Sequence, residues 1–594
     1  MTNNIAERLE RLREELKREH LSAFIFPTTD PHNSEYTADH WKGREWISGF
    51  TGSAGIAVVT LKSAALWTDS RYFIQAEEQL RGTEFLLMKC KMEGTPTIRE
   101  WIANELADLS DKEIGVDGSV ASEADVEMLK EELKRRGGIT VRTNFDPLQR
   151  IWKDRPAIPQ NPVEMQPLEF AGETTRSKLQ RIRQALRKQH ADGMLVAALD
   201  DIAWTLNLRG SDVHCNPVFI AYLLIASDKA TLFVNKNKVT GEVRAYLEKQ
   251  GVGVADYAEI GKGLKDYFEY NILLDPDEVC YTLYHQVSRD IVRESSPIPA
   301  LKAVKNEREQ LGFKSAMLRD GIAMVKFLKW LDENIGKQTL TEISVSDKLE
   351  RLRAEQPLYR GLSFDTIAGY EAHGAIVHYE ATPETDAALQ ASGLLLLDSG
   401  AQYQDGTTDI TRTIALGLLT EEQRRVYTLV LKGHLQLQHL HFPDGASGTQ
   451  LDAVARQPLW KAGLNYLHGT GHGVGSYLNV HEGPHQIRME WRPAKLHAGM
   501  TVTDEPGVYL EGRFGVRIEN TLHVVADQET ECGRFLQFEP LTLCPIDKRP
   551  IISEMLTDEE REWLNQYHEM CYERLSPHLD GEEKEWLRIA TLPL

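Results

Sequence analysis

Two separate stretches of this chain follow one pattern. "LREELKREHLSAFIF" (Leu12 to Phe26) and "IRQALRKQHADGMLV" (Ile182 to Val196) each read as an amphipathic helix, a histidine and a buried strand. Farther along, "EWISGFTGS" parallels "AWTLNLRGS", each with a Trp the same interval ahead of a Gly-Ser, and "SAALWTD" and "KATLFVN" both read as strands. The chain therefore opens with two copies of one α/β architecture. Between them "RPAIPQNPVEMQP" carries Pro156, Pro159, Pro162 and Pro167, which forbid regular structure and mark a linker. A second break falls at "SSPIPALKAVKNEREQ", where Pro297 and Pro299 precede Asn306; Asn306 is placed to cap the next helix, with Glu309 returning the hydrogen bond. A long helical pattern follows, strands take over after Phe364, and "LTDEEREWLNQYHEMCYERL" is a closing amphipathic helix. The expected domains are 1–155, 156–302 and 303–594, the last with a helical tail.

Composition narrows the partners. A length of 594 residues exceeds what one core serves, and 41% hydrophobic with 26% charged residues is ordinary for folded chains. The net charge of -21 argues against nucleic acid, whose phosphates reward clustered Lys and Arg. Ile5, Leu9, Leu12 and Leu16 at helical spacing give an amphipathic first helix rather than a signal peptide. The longest apolar runs, Ile220 to Ala226 and Leu394 to Leu397, fall far short of the roughly 20 residues of a membrane span. Six cysteines without a C-x-x-C signal neither a disulfide framework nor a thiolate zinc site. The expectation is a reduced, cytoplasmic protein with no membrane partner.

The chemistry concentrates in the C-terminal half. "GLLLLDSGAQYQDGTTDITRTIA" reads as a buried strand ending on Asp398, a turn, and a strand returning from Thr408 to Ile414. Such a hairpin brings Asp398 towards Asp409, and two facing carboxylates need a compensating charge. Asp405 suits an exposed turn; Asp398, directly after four leucines, does not. Downstream, "GMTVTDEPGVY" runs a strand into Glu505, and "FGVRIEN" alternates, putting Arg517 and Glu519 on one face with Val516 and Ile518 on the other. "HGTGHGVG" packs His468 and His472 among four glycines, and its spacing fits a G-x-G-x-x-G phosphate loop poorly. Alone it reads as a flexible loop. Four carboxylates and one imidazole balance two divalent cations, and oxygen-rich ligation suits Mn²⁺, Co²⁺ or Fe²⁺ better than structural zinc. Dinuclear hydrolases use such a pair to lower the pKa of a shared water, whose proton a ligand carboxylate can accept.

An Asp, a second Asp eleven residues on, an H-x-x-G-H-G-x-G stretch, an E-P-G and a later R-x-E resemble the metallopeptidases of the pita-bread fold. "LNLRGSDV", "GFTGSAG", "WTDSRYF" and "AHGAIVHY" extend the resemblance to the large, three-domain cytosolic form of the aminopeptidase P family. It implies a mixed α/β and α+β fold, with two creatinase-like α/β domains ahead of a pita-bread catalytic domain. It implies two metal ions, foremost Mn²⁺ with Co²⁺, Fe²⁺ or Zn²⁺ as substitutes, held by Asp398, Asp409, His472, Glu505 and Glu519, with Asp409 and Glu519 bridging and Glu505 the general base. His378, His468 and His481 match histidines that contact substrate and shuttle charge, Arg517 an arginine beside the metals, and Arg71 one that reaches substrate from the N-terminal domain. The glycines around His472 would let peptide and metals approach the backbone. His373 and His485 are left without a role. The implied activity is release of the first residue from peptides with proline second, by a homodimer. Prolidase, methionine aminopeptidase and a metal-free binding protein are the competing readings; the paired N-terminal domains count against the first two, and the intact ligand set against the third.

Overall fold

The computed structural model describes residues 2–110 and 112–594. Its internal contacts form two compact units, one of Met1–Met165 with Thr174–Ile298 and one of Gln166–Glu173 with Pro299–Leu594.

The first unit holds both copies of the repeated architecture. Helix α1 (Thr2–Arg18) buries Ile5, Leu9, Leu12 and Leu16 on one stripe and leads into β1 (Ala23–Pro27). With β2 (Ile56–Thr60), β3 (Ala64–Thr68), β4 (Phe85–Lys89), β5 (Glu113–Val116) and β6 (Thr140–Arg142) it forms a sheet of order β4-β3-β2-β1-β5-β6. The second copy starts with α2 (Thr175–Lys188) and has β7 (Met194–Val196), β8 (Ala221–Ile225), β9 (Ala230–Val234), β10 (Val252–Ala255), β11 (Asn271–Leu273) and β12 (Asp290–Val292), in the order β10-β9-β8-β7-β11-β12. The order is the same, and so is the direction of every pair: antiparallel β1 with β2 and β2 with β3, parallel elsewhere, and likewise in the copy. The sequence repeat is thus a repeat of topology. The linker departs in part from its expectation: Glu164–Met165 pairs with Leu208–Arg209, and Leu168–Ala171 forms a helical turn. Pro167 stands at the cap of that turn, where its missing N–H costs nothing.

In the second unit Asn306 caps α3 (Glu307–Asn334) as expected, its side chain accepting from the N–H of Arg308 and Glu309 while the Glu309 carboxylate accepts from the N–H of Asn306. After α4 (Glu342–Ala354) come β13 (Tyr359–Tyr370), β14 (Leu394–Tyr403), β15 (Gly406–Thr407) and β16 (Ile410–Ala415); β14 pairs antiparallel with the other three. The expected turn at "SGAQYQDG" is mostly strand, because β14 continues past Asp398 to Tyr403 and is buried along its whole length. Gly400 serves close packing rather than turning: a Cβ there would lie 2.1 Å from the Thr408 carbonyl oxygen. Asp405 is buried and ion-paired with Arg319, not exposed. Leu395 and Leu397 pack with Met324, Phe327, Val345 and Leu349 of α3 and α4, whereas Leu394 packs with Val516 and Ile518. Two-residue alternation therefore turns Asp398, with Leu394 and Leu396, away from the helices.

The remaining scaffold includes β17 (Gly471–Gly473), β18 (Glu482–Ile487), β19 (Thr501–Asp504), β20 (Gly507–Leu510), β21 (Phe514–Arg517) and β22 (Asn520–Thr530), and the expected C-terminal helix α5 (Asp558–Leu575), which a further helix, Gly581–Ala590, follows. Among the described residues no helix is long and apolar enough to cross a membrane, and all six cysteines are free.

Candidate metal centre

Strand registers bring the five expected ligands together. Asp398 stands opposite Thr411 across β14 and β16, and Asp409 immediately precedes β16. Asp504 pairs with Asn520 where β19 meets β22, so Glu505 and Glu519 flank that pair. His472 is the centre of β17, its N–H donating to the Thr503 hydroxyl of β19. The ligand atoms of Asp409, His472 and Glu519 lie within 4.8 Å of one another. His472 Nε2 is 3.5 Å from Asp409 Oδ2 and 3.7 Å from Glu505 Oε1.

This arrangement fits a cation. Burial, then the charges of Asp398 and Glu505, push the Asp409 carboxyl well above its ordinary range. Burial, then Asp409, Asp398 and Glu505, do the same to Glu519. The Nδ1 of His472 lies 2.9 Å from the Gly473 carbonyl oxygen, which can only accept, so Nδ1 carries a proton and Nε2 is the nitrogen that faces the carboxylates. Carboxylates gathered around one ring nitrogen call for a positive charge among them. Asp398 Oδ1 is likewise buried with no hydrogen-bond partner among the described residues. Its other oxygen accepts from Arg517 Nη2 at 2.6 Å and Nε at 3.2 Å.

Around this centre, Arg517 also donates to the Tyr509 hydroxyl at 2.7 Å and the Val377 carbonyl at 3.2 Å. Tyr509 in turn stands 2.8 Å from His468 Nε2, and His468 Nδ1 is 4.0 Å from Glu505 Oε2. The rings of His481 and His472 meet edge to face at 4.3 Å. His378 is partly exposed between Val377 and Tyr379. Arg71 belongs to the first unit and forks onto Asp69, at 2.9 and 2.8 Å. His373 hydrogen-bonds buried Glu342, and burial drives His485, bonded to the Thr501 carbonyl, down to about 4. Sequence reasoning missed Tyr509 and Thr411. Tyr509 was available as the aromatic at the end of "DEPGVY", whereas nothing in a threonine-rich strand singles out Thr411, which donates to Glu519 Oε2 at 2.8 Å.

The glycines beside His472 are required by the scaffold itself. A Cβ on Gly471 would lie 1.9 Å from the Thr503 carbonyl oxygen, and one on Gly473 2.5 Å from that of Glu482. The close approach is to the protein's own strands.

Comparison with known proteins agrees with this geometry. The model of the Creatinase/Prolidase N-terminal domain matches residues 8–147, a second model of that description residues 154–309, metallopeptidase family M24 residues 312–526, and the C-terminal region of peptidase M24 residues 534–594. Aminopeptidase P1 of Arabidopsis thaliana is 40% identical, with 97% of each chain covered. Xaa-Pro aminopeptidase 1 of Dictyostelium discoideum is also 40% identical, over 99% of this chain and 97% of its own. The crystal structure of X-prolyl aminopeptidase from Caenorhabditis elegans, described as a cytosolic enzyme with a di-nuclear active site, superposes with a TM-score of 0.95 at 35% identity, covering 99% of this chain and all of that one. The fold is therefore two creatinase-like α/β domains followed by a pita-bread catalytic domain, the architecture of an M24 metallopeptidase. More narrowly, the chain belongs to the aminopeptidase P, or Xaa-Pro aminopeptidase, family and is an enzyme.

Proposed function

We propose that this enzyme hydrolyses the N-terminal Xaa-Pro bond of peptides with two divalent cations, foremost Mn²⁺, which Asp398, Asp409, His472, Glu505 and Glu519 would hold. The observation that carries the reading is the buried carboxylate cluster into which His472 turns its Nε2, with Nδ1 held by the Gly473 carbonyl. The donor set is rich in oxygen and free of sulfur, which suits Mn²⁺, Co²⁺ or Fe²⁺. Bound cations would supply Lewis acidity towards the scissile carbonyl and the attacking water. Glu505, the most exposed of the four carboxylates at 19% of its side chain, is placed to accept the proton of that water. The Xaa-Pro nitrogen carries no hydrogen and must be protonated as it leaves. His378, His468 and His481 hold the substrate and shuttle charge for that protonation; His468 is tied to Asp398 through Tyr509 and Arg517. Arg71 binds substrate from the N-terminal part.

Prolidase is the second reading. The Xaa-Pro dipeptidase of Bacillus anthracis superposes with a TM-score of 0.51 and covers 63% of this chain, against 99% for the C. elegans aminopeptidase, which favours the longer enzyme. The likeness to a structure described as a cytosolic enzyme supports a cytoplasmic location; we further propose a homodimer, each chain divided as 1–155, 156–302 and 303–594. The test strips the protein with chelator and follows cleavage of Xaa-Pro-Xaa and Xaa-Ala-Xaa peptides before and after adding Mn²⁺. Recovery confined to the proline peptide is expected; no cleavage at any metal loading rejects the reading.

A further inference from the structure

The segment that carries His378 is held by a residue with no assigned role. Glu342, at the first turn of α4, is 0% exposed, and its two oxygens gather four donors from 370–387. Oε1 accepts from the Tyr370 N–H at 2.8 Å and from His373 Nδ1 at 2.9 Å; Oε2 accepts from the Tyr379 hydroxyl at 2.9 Å and the Ala387 N–H at 3.0 Å. A carboxylate removed from water is costly unless its lone pairs are filled, and here both oxygens are doubly served. The helix N-terminus adds a favourable field. The rings of His373 and Tyr379 also stack at 4.5 Å, so two of the four donors brace each other.

His378 lies between this anchor and another. Tyr379 is tied to Glu342, while the Val377 carbonyl accepts from Arg517, itself bonded to Asp398. The 371–375 turn is pressed onto the strand bearing Arg517: a Cβ on Gly515 would lie 1.7 Å from the Gly374 carbonyl oxygen, so the two backbones touch. The segment is therefore fixed on its inner side by the site and on its outer side by α4.

We propose that Glu342 is a positioning residue: through Tyr379 and His373 it sets where the His378 imidazole stands. The inference rests on the reading of His378 as a substrate-contacting histidine. Misplacing such a group by about 1 Å costs about 10-fold to 100-fold in rate. Tyr379→Phe removes the hydroxyl that bonds Glu342 and also meets Thr385 while keeping the ring, so it is the primary variant; Glu342→Gln, which turns an amide donor towards existing donors and leaves the Thr385 contacts in place, is the stronger one.

The experiment is a double-mutant cycle on the Mn²⁺-loaded full chain, measuring kcat and KM for an Xaa-Pro-Xaa peptide with metal content and thermal midpoint as controls. Tyr379→Phe is expected to lower kcat about 10-fold with the metal content kept, and to have no further effect on His378→Ala. If Tyr379→Phe and His378→Ala multiply independently, or Tyr379→Phe leaves kcat unchanged, Glu342 is a structural carboxylate and the inference falls alone. If His378→Ala itself is fully active, the reading of His378 falls and the inference with it.

Discussion

The Tyr509 hydroxyl is shared between Arg517, 2.7 Å away, and His468 Nε2, 2.8 Å away. A guanidinium only donates, so the tyrosine oxygen accepts from Arg517 and keeps its own proton and a further lone pair for the bond with Nε2. His468 Nδ1 faces the Gly469 carbonyl at 2.7 Å, which only accepts and so takes the Nδ1 proton. Both ring nitrogens are therefore committed, which fixes the orientation of the ring. Tyr509→Phe releases Nε2 and leaves an Arg517 N–H unanswered, so kcat should fall about 10-fold with the metal content maintained. Steady-state kinetics beside metal analysis checks this; unchanged kcat would mean that His468 is oriented by its backbone alone.

Arg517 is the counter-charge of Asp398. Burial opposes its charge, but Tyr509, Asp398 and Glu505 overcome this and hold its pKa above the usual arginine value. Arg517→Met strands Asp398, so the metal-free protein should lose about 3–5 kcal/mol in urea unfolding. Arg517→Lys keeps the charge but cannot span Asp398, Tyr509 and Val377 at once, so it should recover part of the stability and little of the activity. Equal losses in the two variants would show that the charge contributes nothing beyond the fork.

The raised carboxyls make metal removal pH-dependent. In the stripped protein Asp409 and Glu519 have folded pKa values above their ordinary 3.8 and 4.5, so the folded state holds protons that the unfolded state releases. Folding is then unpenalised below the unfolded values and weakens as pH rises towards the folded ones, by about 1.4 kcal/mol per pH unit for each extra proton held. Thermal midpoints of stripped protein should fall from pH 5 to pH 8 while those of Mn²⁺-loaded protein do not. Asp409→Asn should flatten the slope of the stripped form. A stripped protein whose midpoint climbs over that range contradicts the burial of these groups.

What could be read from the sequence was set by local chemistry. The burial of Asp398 after four leucines, the Asn306 cap with Glu309, and the α1 stripe of Ile5, Leu9, Leu12 and Leu16 each declare themselves within a few residues, and each stands as expected. The run from Ser399 to Tyr403 misled because small residues buried on both faces of a strand look like turn residues when their neighbours are unknown. Asp405 misled for a related reason: its partner Arg319 is 86 residues away, and no local pattern announces that pairing. Thr411 and Glu342 act only through contacts made after folding.

The glycines of "HGTGHGVG" separate crowding from freedom. At Gly471 an added Cβ would meet the Thr503 carbonyl oxygen at 1.9 Å and its carbon at 2.8 Å, both backbone atoms of the strand that leads to Glu505. Neither can move without pulling β17 from β19, and with it His472 from Glu505. At Gly469 the nearest atoms are 3.5 Å away, an ordinary contact. Gly471→Ala should therefore cost about 3 kcal/mol or more and weaken Mn²⁺ binding, whereas Gly469→Ala should leave the thermal midpoint within a degree or so. Measuring both midpoints with and without Mn²⁺ decides the matter. Equal tolerance at the two positions would mean that β17 does not sit against Thr503, and the placement of His472 would have to be drawn afresh.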